Sequence, residues 1–239
     1  MFIGIGLGTE VQPAQRGFTP KQIPGLLFWV KSDTGVLDAS DNPITVDGTA
    51  VKTWQDQSGN ANHLTQATVP NQPLYKTNQV NSRPGLLWDG TNNVLTLTTR
   101  LTTVRTVCIV HKWTDTTGEY RPILGDPTAY NYHGDTVLTG RLFYSDVNAG
   151  TLETQYVFNG TKYVNTVATA HNSVLRYTTF KLVTVATTGN TNVANVAFDR
   201  NMTGRLFKGT MAEILMYNAV LSTAQRNAVE QYLMNRYAL

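Results

Sequence analysis

Trp54-Gln55-Asp56-Gln57-Ser58-Gly59-Asn60-Ala61-Asn62-His63-Leu64-Thr65-Gln66-Ala67 and Arg83-Pro84-Gly85-Leu86-Leu87-Trp88-Asp89-Gly90-Thr91-Asn92-Asn93-Val94-Leu95 are the stretches that decide the fold of this 239-residue chain. Each reads as an extended segment running into a turn. Asp, Asn and Ser bond their own backbone and Gly accepts left-handed dihedrals, so clusters of these residues end strands. Outward from the two stretches the same pattern repeats. Short alternating runs lie at 26–31, 51–55, 85–88, 94–98, 105–113, 121–124, 140–144, 154–158, 162–165, 179–186, 192–199 and 208–217. Between them sit the turn dipeptides Asp47-Gly48, Asp89-Gly90, Asn159-Gly160 and Gly189-Asn190, which predict hairpins. Thr and Val dominate the runs, which favours strands over helices. The spacing predicts an all-β chain, a two-sheet antiparallel jelly-roll sandwich.

Two segments depart from this pattern. At the C-terminus Ser222 and Gln225 form a capping box, and Ala224, Ala228, Val229, Tyr232 and Leu233 recur on one face, which predicts one α-helix over 222–237 packed on the sandwich. At the N-terminus Ile3, Ile5 and Leu7 alternate with Gly4, Gly6 and Gly8, and Pro13, Pro20 and Pro24 then interrupt any regular element. Residues 1–24 therefore read as an extended arm and 25–239 as the sandwich. Phe2, Ile3, Ile5 and Leu7 are the arm's candidate docking residues, since a strand with one bare face can add to a partner's sheet edge.

Net charge is +3, with only 15% charged residues, and Lys and Arg are scattered. Nucleic-acid binding, which scales with clustered basic residues, is not expected. A neutral surface rich in Thr, Asn, Gln and Ser suits glycans or protein neighbours. No stretch is long and apolar enough to span a membrane, and the N-terminus lacks the basic start of a secretory signal. The single cysteine, Cys108, lies in the apolar run 107–110 and reads as a small buried hydrophobe.

The quoted stretches, together with Ile23-Pro24-Gly25-Leu26-Leu27-Phe28-Trp29-Val30, Lys31-Ser32-Asp33, Gly209-Thr210-Met211-Ala212-Glu213-Ile214-Leu215-Met216-Tyr217, Leu221-Ser222 and the helix reaching Tyr232-Leu233 and Tyr237, make the chain similar to laminin-G-like, concanavalin A-like lectin/glucanase sandwich domains of bacteriophage and bacterial surface proteins. The resemblance runs from 23 to 239 in order and is weaker between 113 and 186. It implies a non-enzymatic structural or surface protein of a virion, of decoration or fibre type, made in the host cytoplasm and displayed on the virion surface. Such a protein would be oligomeric in its assembly and would have other virion or surface-assembly proteins as partners. The alternatives are a receptor-recognition module that binds a host-cell glycan and a glycoside hydrolase of the same fold.

Candidate residues follow from chemistry and position. Trp29, Trp54 and Trp88 lie in apolar strands and read as core rings whose indole nitrogens bond to backbone. Trp113, at a strand end, is the tryptophan suited to stacking on a sugar. The stretch 126–135 is the most aromatic and irregular, so Trp113, Asp115, Tyr120, Tyr130, Asn131, Tyr132, His133 and Asp135 are the candidate glycan- or partner-binding residues. No cofactor is expected, with calcium as the one exception: Asp56, Asn60 and Asn62 crowd one oxygen-rich loop. Ser58 shares that loop, and His63 beside it reads as a structural hydrogen-bonding residue. Glu213, alone in an apolar strand, calls for a structural partner such as Arg or backbone amides. Catalysis is not expected. The five Glu residues, at 10, 119, 153, 213 and 230, include no pair two or four apart, as a glycosidase strand requires. Neither a Gly-x-Ser-x-Gly elbow nor a helix behind the N-terminal glycines occurs.

Overall fold

The computed structural model describes residues 17–114, 116, 120–129, 131–133, 141–143, 152–170, 173–198, 200 and 204–239. The candidate docking residues Phe2, Ile3, Ile5 and Leu7 lie outside them. The strands before the first helix are β1 (Leu26–Lys31), β2 (Val36–Leu37), β3 (Thr53–Trp54), β4 (Leu64–Thr65), β5 (Leu74–Val80), β6 (Arg83–Asp89), β7 (Leu95–Trp113), β8 (Pro122–Gly125) and β9 (Tyr132–His133). Helix α1 (Leu152–Phe158) follows, then β10 (Thr161–Val164), β11 (Val167–Thr169), β12 (Lys181–Val196), β13 (Lys208–Tyr217) and helix α2 (Thr223–Tyr237). The pairing is antiparallel throughout. The main ladder runs β11-β10-β12-β7-β13-β6-β5, with β1 on β13, β4 on β7 and β8 on β12. The chain is an all-β sandwich.

Alternation along the central strands builds two cores. Phe28, Val30, Val107, Ile109, Val183, Val185, Ile214 and Met216 point into the main cluster. Their neighbours Trp29, Cys108, Val110, Leu182, Leu215 and Tyr217 point the other way, under α2. A period of two on strands apolar at every position thus buries both faces. One irregularity matters: the register of β13 against β7 shifts between Met211 and Glu213. This bulge sets both Ala212 and Glu213 towards α2, as an extra residue in one strand does.

β7 and β12 correct two expectations. Runs 94–98 and 105–113 are one strand, β7, and runs 179–186 and 192–199 are joined through β12, which spans Lys181–Val196 with Gly189-Asn190 inside it rather than in a turn. Register shifts between Ala186 and Asn195 bend this long pair, and its far half takes β4 and β8 as further neighbours. Gly189 is small for another reason. A Cβ there would lie 2.5 Å from the Tyr156 ring of α1.

Run 154–158, expected as a strand, is helical. Leu152, Glu153 and Gln155 are competent helix formers, and the helix end is capped from outside. The Lys162 ammonium, on a side chain 1% exposed, donates to the carbonyls of Val157 and Phe158 and, at 2.9 Å, of Gly160. Burial lowers the Lys162 pKa to about 8.

α2 begins as expected, with Ser222 and Gln225 closing the capping box, and ends on Ala238 in the left-handed region at φ 51°. Val229 and Leu233 are buried, but Ala224 is exposed, and Glu230 and Tyr237 complete the inward face instead. Residues 18–23, assigned to the arm by sequence, pack on this body. Phe18 lies 6.1 Å from the Tyr232 ring, Ile23 is buried, and Tyr217 donates its hydroxyl to the Pro20 carbonyl.

Candidate functional site

β1 pairs with β13 on one side only, and the first quoted stretch closes its other side. Asp56 accepts the Trp29 N–H at 3.0 Å, and Gln57 donates its N–H to the Trp29 carbonyl. The Asn60 amide donates to the carbonyls of Leu26 and Leu27 at 3.0 and 2.9 Å, and the Trp54 indole donates to Lys31 at 3.0 Å. An edge strand with free backbone groups is a template for another chain. Side chains here take the place of a neighbouring strand.

That duty engages Asp56, Asn60 and Asn62, the residues of the metal expectation. The Asp56 oxygens also accept from the Ser58 N–H at 2.8 Å, the Ser58 hydroxyl at 2.7 Å and the Asn62 N–H at 3.1 Å. Asn62 in turn bonds both backbone groups of Thr99, at 2.8 and 2.7 Å. These oxygens face donors, and a cation needs them bare. No group of three or more His, Cys, Asp or Glu is placed to hold a metal among the described residues. His63 accepts the Asp56 N–H at 3.1 Å, the structural role expected of it.

Beside the sealed edge lies an open groove of about 450 Å³. Leu27 and Leu101 form its apolar side, and Asn60, Ala61, Thr99 and Asn218 bring exposed polar edges. Asn60 projects from a turn completed by Ala61 in the left-handed region at φ 55°. Asn218 is fixed at its backbone by a 2.9 Å bond from its N–H to the Gly25 carbonyl. None of the lining residues ionises. Such a groove matches neutral, hydroxyl-rich ligands and offers no cation to a phosphate or a carboxylate. Sequence reasoning missed it because its walls come from four separate segments; Asn60 was singled out, but for a metal.

The expected loop residues fall elsewhere. Trp113 is 1% exposed, its ring 4.6 Å from Phe207 and 5.1 Å from the Arg176 guanidinium. Asn131 donates its amide to the Asn192 carbonyl at 2.7 Å. The Tyr132 hydroxyl, buried enough to raise its pKa, meets Thr191 at 2.7 Å. These three therefore serve the interior, not an outward stacking surface: Asn131 and Tyr132 bond internal polar groups, and the Trp113 ring is packed among other rings although its indole N–H has no partner. Tyr120 lies 4.4 Å from the Arg205 guanidinium. His133 lies in β9; its side chain, with Asp115, Tyr130 and Asp135, lies outside the described residues. Of the other tryptophans, only Trp54 gives its indole N–H to backbone. Trp29 gives it to Glu213 at 2.7 Å, and Trp88 has no partner for it.

Glu213 has the structural role expected. One oxygen accepts from Trp29. The other accepts from the Tyr237 hydroxyl at 2.7 Å and stands 2.9 Å from Arg236 Nε. Burial raises the pKa of this carboxyl, and Arg236 opposes the shift. Arg236 also pairs with Asp33, which Arg83 holds at 2.6 Å, so the bulge, α2 and β6 are tied by one charge network. His111 is buried neutral: desolvation lowers its pKa to about 3, and the Tyr177 hydroxyl lies 3.0 Å from its Nε2. These groups are committed to holding the fold, which leaves the groove as the candidate ligand site among the described residues. Comparison with known proteins yields no matching family model and no matching curated sequence.

Proposed function

We propose that the chain is a non-catalytic surface module of a particle of the bacteriophage type, held to its assembly by the N-terminal segment and presenting the asparagine-lined groove to a neutral saccharide. The observation that carries this reading is the chemistry of the groove. It has leucines on one side, amides and a hydroxyl on the other, and no charge. Sugars offer the complementary combination of C–H faces and hydroxyl edges. The committed carboxylates support the non-catalytic half. Glu213 and Asp56 each face hydrogen-bond donors, whereas hydrolysis needs a free acid and a free nucleophile or base.

A glycan array probed with the intact chain, with and without calcium, tests this reading. Binding to neutral oligosaccharides, unchanged by calcium and weakened about tenfold by Asn218→Ala (about 1.4 kcal/mol), is the expected outcome. A flat array, or shortened oligosaccharides recovered after incubation, would overturn it. Removal of residues 1–16 tests the anchoring half and spares Phe18 and Ile23, which belong to the folded body. The truncated protein should remain folded, keep its saccharide binding and lose co-sedimentation with particles.

A further inference from the structure

The contact between α2 and the sheet is uneven along the helix. Its second half is held by Leu233 and Tyr237 and by the Arg236–Glu213 pair. Its first two turns bury only Val229 and Glu230, while Thr223, Ala224 and Asn227 are exposed. Glu230 thus carries a carboxyl group into the weaker half of the contact. The residue is 1% exposed, and neither carboxyl oxygen has a hydrogen-bond partner.

The surrounding groups compensate only in part. On α2 itself, Arg226 holds its Nε 3.9 Å from the carboxylate, at the limit of an ion pair. Its Nη1 is buried without a partner, and its Nη2 donates instead to Asn227 at 2.8 Å. The guanidinium lies 3.6 Å from the Tyr163 ring of β10. From β12 comes the Thr184 hydroxyl, which is 3.7 Å from the Cys108 sulfur of β7. A buried charge with such partners is desolvated with only partial return, whereas the neutral acid carries a much smaller burden.

We propose that Glu230 makes the docking of α2 on the sheet a proton-coupled step, closed while its carboxyl is protonated and loosened when it is charged. Burial raises the Glu230 pKa above its ordinary 4.5, and Thr184 and Arg226 oppose that shift without cancelling it. A carboxyl whose folded-state pKa is raised stabilises the closed form fully below the ordinary value. That contribution is lost as pH rises through the raised value. One proton is involved, so the opening constant rises by up to about tenfold per pH unit in this window and levels off above it. Opening bares the strip of Cys108, Val110 and Leu182 that α2 covers. The inference is independent of the saccharide reading.

Hydrogen exchange of the α2 amides, corrected for intrinsic rates, tests the proposal on the intact chain. The wild-type protein should show opening that increases from pH 4.5 upward and then levels off. Glu230→Gln, which is neutral at every pH and keeps the side chain's shape, should abolish that rise. A rise of the same slope in Glu230→Gln, or a flat wild-type profile, would overturn the proposal. A second measurement needs no variant. Cys108 is the chain's single cysteine and is fully buried, so its labelling rate, divided by that of a free thiol at the same pH, reports the same opening. A ratio that stays constant across the window would equally reject the idea.

Discussion

Replacing Asp56 by Ala removes one carboxylate and releases four donors. Two of them, the N–H groups of Trp29 and Asn62, belong to buried hydrogen bonds; the two from Ser58 are half-buried and return to water more easily. Each buried donor left without a partner costs about 1–3 kcal/mol, so Asp56→Ala should lower stability by about 3–5 kcal/mol. Asp56→Asn keeps one acceptor oxygen for Trp29 and Ser58 but turns an N–H₂ towards the Asn62 N–H, and about 1–3 kcal/mol is expected. Urea unfolding followed by tryptophan fluorescence measures both, with the slope of the transition unchanged. The alanine variant should also aggregate more readily, because the backbone of β1 becomes available to other chains. The reasoning fails if the alanine variant loses under about 1 kcal/mol, or if Asn is no better than Ala. Calcium provides an internal control. An ion bound at about 100 times its Kd would stabilise the native state by about 2.7 kcal/mol. No such gain is expected from a loop whose oxygens already accept hydrogen bonds.

Two further perturbations probe other parts of the frame. Lys162→Met keeps the length of the side chain but takes a donor from three carbonyls at and just after the end of α1, of which Val157 keeps the Gly160 N–H; a loss of about 2–4 kcal/mol by thermal or urea unfolding is expected, with exchange protection lost first in α1. Burial raises the pKa of Asp33, but Arg236 and Arg83 outweigh it and hold the carboxyl below its ordinary 3.8. A depressed carboxyl contributes stability above 3.8 that disappears as pH falls through the folded-state value. Asp33→Asn should therefore be about 1–3 kcal/mol less stable at neutral pH and should show a shallower loss below pH 3.8 in an acid titration.

What could be read from the sequence was local. The bounds of β1 and β13, the Ser222–Gln225 capping box and the burial of Cys108 depend on patterns within about ten residues, and the structure agrees with each. What escaped depends on distant partners. α1 is a helix because Lys162 caps it and Tyr156 sits over Gly189, and neither contact is visible in the run 154–158. The β10–β11 hairpin turns on Asn165 and Thr166 at φ 45° and 70°. A β-branched residue seldom adopts such an angle, and the pair carries no glycine to announce it. β5 was missed because Lys76, Thr77, Asn78 and Gln79 are polar at successive positions; the core needs only Tyr75 and Val80 from it. The groove was the least legible feature. Asn60, Thr99 and Asn218 meet only after the sandwich closes, and their side chains carry no motif that joins them in advance.

The closure of β1 by nearby residues matters before the protein is complete. Trp29 and Glu213 are 184 positions apart, and at about 5–20 residues per second a ribosome needs about 10–40 s to bridge that interval. Asp56 follows Trp29 by only 27 positions. A nascent chain therefore gains a guard over β1 within seconds, whereas the strand that pairs with β1 is made about 10–40 s later.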